Sequence, residues 1–178
     1  AVADSFSGSE DAAINGNILS NDTDVDGDAL SVVAETITTA HGGTVVLSAD
    51  GTFEYTPAQD FHGEDSFSYT LSDGTVSDTG SVSLSVSAVN DGPVVGNIDL
   101  GATAEDSIVT FTAADLLANS SDVDGDSLSV TSVSVDAAYG SVVDNGDGTY
   151  SFTPAADYHG DDVPLSFSVS DGTATATA

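Results

Sequence analysis

The chain alternates between apolar and polar residues along most of its length, and turn-forming residues separate the alternating segments. The clearest example is residues 81–87, in which serine occupies every second position between valine and leucine. A two-residue period places successive side chains on opposite faces of a β-strand, so one face is predicted to be buried and the other solvated. In the first half of the chain the pattern predicts strands over residues 12–19, 29–37, 43–47, 52–56, 66–72 and 77–88.

The second half shows the same alternation, and no segment shows sustained helical periodicity. Residues 113–119 (AADLLAN) are predicted to form a single helical turn. Hairpin turns are predicted at Asp50-Gly51 and Asp73-Gly74, because glycine adopts positive φ without strain. The predicted strands of this half are residues 94–98, 107–111, 128–135, 140–143, 148–153 and 165–170. The fold class is therefore all-β.

Three motifs of the first half recur 97 or 98 residues later. Asp24-Val25-Asp26-Gly27-Asp28 returns at 122–126, Asp60-Phe61-His62-Gly63 at 157–160, and Ser72-Asp73-Gly74-Thr75 at 170–173. Self-similarity at a fixed period indicates tandem copies of one unit, and about 100 residues is the size of one β-sandwich.

The chain is thus predicted to hold two domains, residues 1–91 and 92–178, joined at Val89-Asn90-Asp91-Gly92-Pro93. Pro93 favours an extended path for the residues that begin the second domain. Nothing in the second copy matches residues 82–89, so its last strand is expected to be cut short. We expect the chain to be a processed or excised fragment.

The charge of the chain is extreme: 30 acidic residues and no lysine or arginine give a formal net charge of −30. This composition argues against nucleic acid, which proteins bind by neutralising phosphates with lysine and arginine, and against direct contact with anionic membranes. No apolar run approaches the ~18 residues of a membrane span. The chain has no cysteine and therefore no disulfide. A secreted β-domain without disulfides is expected to be stabilised by a bound metal instead.

The Asp-x-Asp-Gly-Asp turns place three carboxylates close together, where they repel one another unless a cation lies among them. Calcium suits such a turn because it accepts six to eight oxygen ligands in flexible geometry. An EF-hand is excluded, since the twelfth position counted from Asp22 is Val33 rather than glutamate. The alternative is a solvated acidic turn. Further acidic groups recur at Glu10-Asp11 and 105–106, and at 60–65 and 157–162.

These motifs, in this order, resemble the cadherin repeat, which has an acidic residue in its first strand and an Asp-x-Asp-Gly-like turn after its second. The family also has an acidic group before the sixth strand, an Asp-Gly after it, and a Val-Asn-Asp-x-x-Pro-like linker. The resemblance is closer still to the cadherin-like, Ig-like tandem repeats of giant bacterial surface adhesins, and residues 21–28, 50–57 and 67–74 carry it. It implies two tandem Greek-key β-sandwiches, the second lacking most of its last strand.

In cadherins, calcium lies between consecutive repeats, and the resemblance transfers that arrangement to the joint of this chain. The residues implied at the joint are Glu10, Asp60, Asp65, Asn90, Asp91, Asp122, Asp124, Asp126 and Asp171. A second set, implied to face a preceding repeat, is Asp24, Asp26, Asp28 and Asp73. A third set, implied to face a following repeat, is Glu105, Asp157 and Asp162.

By this resemblance the chain is expected to be an extracellular, monomeric spacer of a bacterial cell-surface adhesin, with neighbouring repeats as partners and a distal ligand of unknown kind. It is not expected to be an enzyme, because no candidate site breaks the repeat symmetry. A carbohydrate- or peptide-binding module and a homophilic adhesion module remain as alternatives. His62 and its counterpart His159 are interpreted as structural residues, and His41 as a loop residue without a special role.

Overall fold

The computed structural model describes residues 1–100, 107–158 and 163–178, and the chain divides into unit 1, Ala1–Val89, and unit 2, Asn90–Ala178. About 48% of the chain is in strands and 2% in helix, which confirms the all-β class. Glu105, Asp106, His159, Asp161 and Asp162 lie outside the described residues.

Unit 1 consists of two four-stranded sheets. The first sheet has the order β1-β8-β7-β3 and the second has the order β2-β6-β5-β4. β1 runs parallel to β8, and the other neighbouring pairs are antiparallel. The strands are β1 Asp4–Ser9, β2 Ile14–Asn17, β3 Ser31–Val32, β4 Glu35–Thr38, β5 Thr44–Leu47, β6 Thr52–Thr56, β7 Gly63–Ser72 and β8 Ser77–Ser87.

The inward-facing side chains of both sheets form one hydrophobic core in unit 1. The two-residue period is regular in β8, where Val82, Leu84 and Val86 are buried between exposed serines. The second sheet adds Val45, Leu47, Phe53 and Tyr55, and the ring of Phe53 packs edge-on against Phe67 at 5.5 Å. Burial of each such side chain stabilises the fold by about 2 kcal/mol relative to exposure.

Two features of unit 1 differ from the sequence-based prediction. β1 was not predicted as a strand, because its pairing with β8 joins residues 78 positions apart, such as Asp4 and Val82. The segment 29–37, predicted as one strand, is divided: β3 pairs with β7 in one sheet and β4 pairs with β5 in the other. The chain changes sheets at Val33 and Ala34, where both side chains are exposed.

Unit 2 contains two three-stranded sheets, β10-β14-β13 and β12-β15-β16, and a separate antiparallel pair of β9 and β11. The predicted helical turn is confirmed as α1, Ala113–Leu116, which begins with a capping box between Thr112 and Asp115. The hydrophobic core of unit 2 includes Phe111, Leu116, Phe152 and Phe167. The strands are β9 Val94–Val95, β10 Val109–Thr112, β11 Ser120–Ser121, β12 Ser129–Val135, β13 Gly140–Asp144, β14 Thr149–Pro154, β15 Leu165–Ser170 and β16 Thr175–Thr177.

Candidate metal centre

The loop that precedes β12 in unit 2 brings three aspartates together. Each of Asp122, Asp124 and Asp126 offers a carboxylate oxygen, and these oxygens lie within 4.8 Å of one another. Asp122 Oδ1 accepts hydrogen bonds from the backbone N–H of Asp124 at 3.0 Å and of Asp126 at 3.2 Å. Gly125 has a φ of 78°, which lets the loop turn tightly enough for the three side chains to converge.

The first two residues of unit 2, Asn90 and Asp91, are bound to this acidic region. The backbone N–H of Asp91 donates to Asp124 Oδ2 at 2.8 Å. The side-chain amide of Asn90 donates to Asp171 Oδ2 at 3.0 Å. The structure therefore brings together Asn90, Asp91, Asp122, Asp124 and Asp171, five of the residues predicted at the joint.

Asp171 is held as a carboxylate by several donors. The Asn90 amide, together with the backbone N–H groups of Thr173 and Ala174 at 2.6 Å, lowers the pKa of Asp171 below its ordinary value. A carboxylate that remains ionised is a suitable ligand for a hard cation.

The donor set of this loop fits calcium. Asp122 Oδ2 is buried and has no hydrogen-bond partner among the described residues. A buried, unpartnered carboxylate oxygen costs free energy unless a cation or a donor reaches it. The three converging carboxylates offer only hard oxygen ligands, which are the ligands that calcium prefers. The chain has no lysine or arginine that could neutralise them instead.

The twin loop in unit 1 has the same backbone arrangement. Asp24 Oδ1 accepts from the backbone N–H of Asp26 at 2.9 Å and of Asp28 at 3.1 Å, and Gly27 has a φ of 82°. Asp73, the counterpart of Asp171, accepts from the backbone N–H of Val76 and Thr75, and these bonds lower its pKa. Among the described residues, the three carboxylates of this loop do not converge as closely as those of unit 2.

Another predicted ligand in unit 1, Glu10, lies at the end of the unit from which the chain leaves. Its side chain is 1% exposed, and Oε1 accepts a 2.6 Å hydrogen bond from the backbone N–H of Val89, the last residue of the unit. Oε2 lies 3.6 Å from Nδ1 of His62. His62 is two residues after Asp60, so the loop that carries Asp60 adjoins Glu10.

The backbone is left-handed at three aspartates: Asp11 (φ 61°), Asp60 (φ 56°) and Asp157 (φ 59°). Asp60 and Asp157 occupy matched positions in the two units. A left-handed conformation costs a non-glycine residue about 1 kcal/mol or more, although aspartate tolerates it better than most. Its recurrence at matched positions indicates that the surrounding structure imposes it.

Asp65, also predicted at the joint, lies in a hydrogen-bonded network in the interior of unit 1. Its Oδ2 accepts from the hydroxyls of Thr39 and Tyr55, and its Oδ1 accepts from Ser66 N–H and lies 3.3 Å from His41 Nδ1. Burial acts to raise the pKa of Asp65, but these four donors outweigh burial and the pKa is lowered. Both oxygens are thus engaged within the unit.

The role of His41 is a correction to the sequence-based interpretation, which gave it none. Besides approaching Asp65, its ring stacks on Phe61 with centroids 4.9 Å apart and planes inclined by 20°. The two-residue period of β7 could have located this network, because Asp65 is in phase with the buried Phe67, Tyr69 and Leu71.

A second buried network, around Tyr69, was not found from the sequence. The hydroxyl of Tyr69 lies 3.2 Å from Asp4 Oδ2 and 3.2 Å from Asp22 Oδ2. Asp4 is buried, and that burial raises its pKa. Unit 2 has Phe167 at the position of Tyr69, so it lacks the hydroxyl on which this network depends.

Family profiles match the two halves of the chain separately. The profile of the cadherin-like domain matches residues 89–178. The chain belongs to the cadherin-like domain family. Residues 1–85 match the profile of a bacterial Ig domain. Both matches confirm the resemblance drawn from the motifs, and no curated protein sequence matches the chain.

Solved structures of cadherins are similar to this cadherin-like chain in fold. The N-cadherin EC1-4 of Drosophila is 14% identical with a TM-score of 0.50, and the match covers 99% of this chain and 46% of that one. Human protocadherin-24 EC1-2 is 14% identical with a TM-score of 0.46, over 86% of this chain and 78% of that one. At 14% identity, the N-cadherin match supports the fold alone.

An endo-fucoidan hydrolase of glycoside hydrolase family 107 matches with 21% identity and a TM-score of 0.37. The match covers 99% of this chain but 26% of the hydrolase, so the chain spans about a quarter of that protein's length. Cadherin-like and bacterial Ig domains are typically non-catalytic and typically extracellular or surface-exposed. Within the described residues, no helix has the length and hydrophobicity needed to span a bilayer.

Proposed function

We propose that units 1 and 2 are calcium-stiffened spacer repeats of a large secreted bacterial adhesin, which project a distal binding domain from the cell surface. The observation that carries this proposal is the hydrogen bond from Asp91 N–H to Asp124 Oδ2, beside the buried and unpartnered Oδ2 of Asp122. Asp91 is the second residue of unit 2 and is hydrogen-bonded to this loop. An ion bound at the loop would therefore lie at the start of the unit. Occupancy of the loop thereby constrains the linker.

In this proposal the calcium ligands of unit 2 are Asn90, Asp91, Asp122, Asp124, Asp126 and Asp171. In unit 1 the proposed ligands are Glu10, whose carboxylate accepts a hydrogen bond from the backbone of Val89, and Asp60 from the adjoining loop. Asp65 is left out of the set, since donors within unit 1 already engage both of its oxygens.

Calcium would supply the positive charge that this chain lacks. Unit charges about 4 Å apart repel by about 4 kcal/mol at an effective dielectric constant of 20. With no lysine or arginine in the sequence, the carboxylates near the joint have no basic side chain to offset that repulsion. Removal of the repulsion by a divalent ion favours a single, stiff arrangement of the linker, as a spacer requires.

The burial of the aromatic rings supports a spacer rather than a sugar-binding module. Carbohydrate platforms depend on exposed aromatic faces, whereas most aromatic side chains of the described residues lie in the two cores. The buried rings are Phe53, Tyr55, Phe67, Tyr69, Phe111, Tyr150, Phe152 and Phe167. No observation favours a catalytic role, and we propose that the chain is not an enzyme.

The test of this function is a calorimetric calcium titration of the chain and of two double variants. Asp122→Ala with Asp124→Ala removes two proposed ligands of the joint. Asp24→Ala with Asp26→Ala makes the same charge change in the twin loop of unit 1, whose carboxylates do not converge as closely. We expect the first double variant to lose the tightest calcium binding and the second to keep it. Absence of saturable calcium binding by the parent chain at millimolar concentration would contradict the proposal.

A further inference from the structure

Both units contain a contact between two aromatic rings that joins corresponding loops, and one ring of each pair, Phe61 or Tyr158, occupies a matched position. In unit 1 the ring of His41 stacks on Phe61 at 4.9 Å. In unit 2 the ring of Tyr139 packs edge-on against Tyr158 at 5.5 Å, with planes inclined by 81°. The residues differ in type and in ring angle, but in both units the contact joins the loop before β5 or β13 to the loop after β6 or β14.

The second loop has the same backbone conformation in both units. The N–H of Phe61 donates to the carbonyl of Ala58 at 3.2 Å, and the N–H of Tyr158 donates to the carbonyl of Ala155 at 3.0 Å. The residue immediately before each ring is a left-handed aspartate, Asp60 in unit 1. The aromatic contact thus fixes the residue that follows the strained position.

In unit 1 the His41 ring also contacts a buried carboxylate, that of Asp65. His41 Nδ1 lies 3.3 Å from Oδ1 of Asp65, which is 5% exposed and also accepts from Tyr55 and Thr39. The loop that carries His41 is closed by the backbone bond from Thr39 N–H to the carbonyl of Gly43 at 2.9 Å. The His41 ring is thus held by both its loop and Asp65 where it can pack against Phe61.

The loop held in this way is the one that adjoins Glu10. His62 follows Phe61 directly, and its Nδ1 lies 3.6 Å from Glu10 Oε2. The left-handed backbone at Asp60 is strained for a non-glycine residue, so it persists only if neighbouring contacts hold it. The stack of His41 on Phe61 holds the residue next to that turn.

From this geometry we infer that His41, Phe61 and Asp65 form a clasp that positions Asp60 as a calcium ligand without contacting the ion. The inference rests on the proposed function, since it concerns a ligand of the calcium site proposed there. His41 and Phe61 are positioning residues, and Asp65 acts through His41. In unit 2, Tyr158 directly follows Asp157 and contacts Tyr139, just as Phe61 follows Asp60 and contacts His41.

The test measures calcium affinity and local backbone protection in the full chain with His41→Ala, Phe61→Ala and His41→Tyr. The alanine variants are expected to bind calcium about tenfold more weakly, the usual cost of removing a residue that orients a metal ligand. His41→Tyr, which keeps an aromatic ring at the position that stacks on Phe61, is expected to restore the parent affinity. Val76→Ala, a change at a 66% exposed position of the same unit, is the matched control.

Hydrogen exchange of residues 58–62 in chelator provides a readout that does not depend on calcium. We expect His41→Ala to speed exchange there while the melting temperature in chelator stays at the parent value. Parent-like calcium affinity and parent-like exchange in both alanine variants would overturn the clasp and leave the proposed function intact. If the parent itself binds no calcium, the proposed function fails first, and unchanged exchange would then overturn the clasp separately.

Discussion

The backbone N–H of Asp91 donates a 2.8 Å hydrogen bond to Oδ2 of Asp124, a residue 33 positions further along the chain. This bond ties the start of unit 2 to the loop in which Asp122, Asp124 and Asp126 converge. A change at the loop therefore acts directly on Asp91 in the linker.

The first prediction concerns the stiffness of the joint. Small-angle scattering should give a narrow distribution of interatomic distances in calcium and a broader one in chelator, because acidic groups near the linker repel one another without the ion. Asp122→Ala with Asp124→Ala should keep both units folded but leave the distribution broad even in calcium. Asp24→Ala with Asp26→Ala, which changes the charge equally, should behave like the parent. If the distance distribution of the Asp122/Asp124 double variant in calcium is as narrow as that of the parent, the joint is held by packing and not by the ion.

The second prediction is thermal. An ion that binds only the folded chain stabilises it by about 2.7 kcal/mol at a hundredfold excess over its Kd. Millimolar calcium should therefore raise the melting temperature more than sodium chloride of equal ionic strength, which only screens the −30 charge. Calorimetric scans in the two salts measure the difference. Equal shifts would mean that charge screening explains the whole effect.

The third prediction concerns the pH dependence that Asp65 gives to unit 1. The pKa of Asp65 is lower in the folded chain than in the unfolded chain, so its ionised form stabilises the fold at neutral pH. That stabilisation is present above the unfolded pKa, near pH ~4, and is lost as the pH falls through the lower folded pKa.

Asp65→Asn should therefore cost about 2 kcal/mol at pH 7, the scale of hydrogen bonds to a charged acceptor, and should cost less at pH 3. Urea unfolding at the two pH values, followed by circular dichroism, measures the difference. Glu35→Gln, a neutralisation at an exposed position of the same unit, serves as the control. An equal loss of stability at both pH values would show that the charge of Asp65 contributes nothing.

The fourth prediction separates a spacer from a lectin. Because Phe53, Phe67, Phe152 and Phe167 are buried, these rings cannot form a sugar platform without unfolding. A glycan array probed with the chain in calcium should show no saturable binding. Micromolar affinity for one defined glycan would replace the spacer with a carbohydrate-binding module.

Much of the fold could be predicted from local sequence signals. The alternation in residues 81–87 predicted β8, and Asp50-Gly51 predicted the hairpin in which Gly51 has a φ of 82°. The Asp-x-Asp-Gly-Asp motif predicted a tight loop, and Asp122 and Asp24 accept the same pair of backbone bonds within it. Such features depend on residues within a few positions of one another, so the local sequence is enough.

The pairing of β1 with β8 and the division of residues 29–37 between two sheets could not be predicted in this way. Both depend on which strand lies alongside, and the partners are far away in sequence. The local pattern of residues 29–37 is compatible with either sheet. Which part of the segment joins which sheet depends on the edge strand available for pairing, β7 for β3 and β5 for β4.

The sequence by itself determined the repeat, the all-β class and the acidic residue types that could bind calcium, because periodicity and composition are properties of the chain alone. Only the tertiary structure decided which of those carboxylates are available. Asp65 belongs to the same acidic group as Asp60, yet it faces the interior in phase with Phe67 and is engaged by Thr39 and Tyr55. Asp122 keeps a buried oxygen without a hydrogen-bond partner among the described residues. The direction of a side chain and the donors around it depend on strands and loops distant in sequence, so one acidic motif yields a structural carboxylate in one place and a candidate ligand in another.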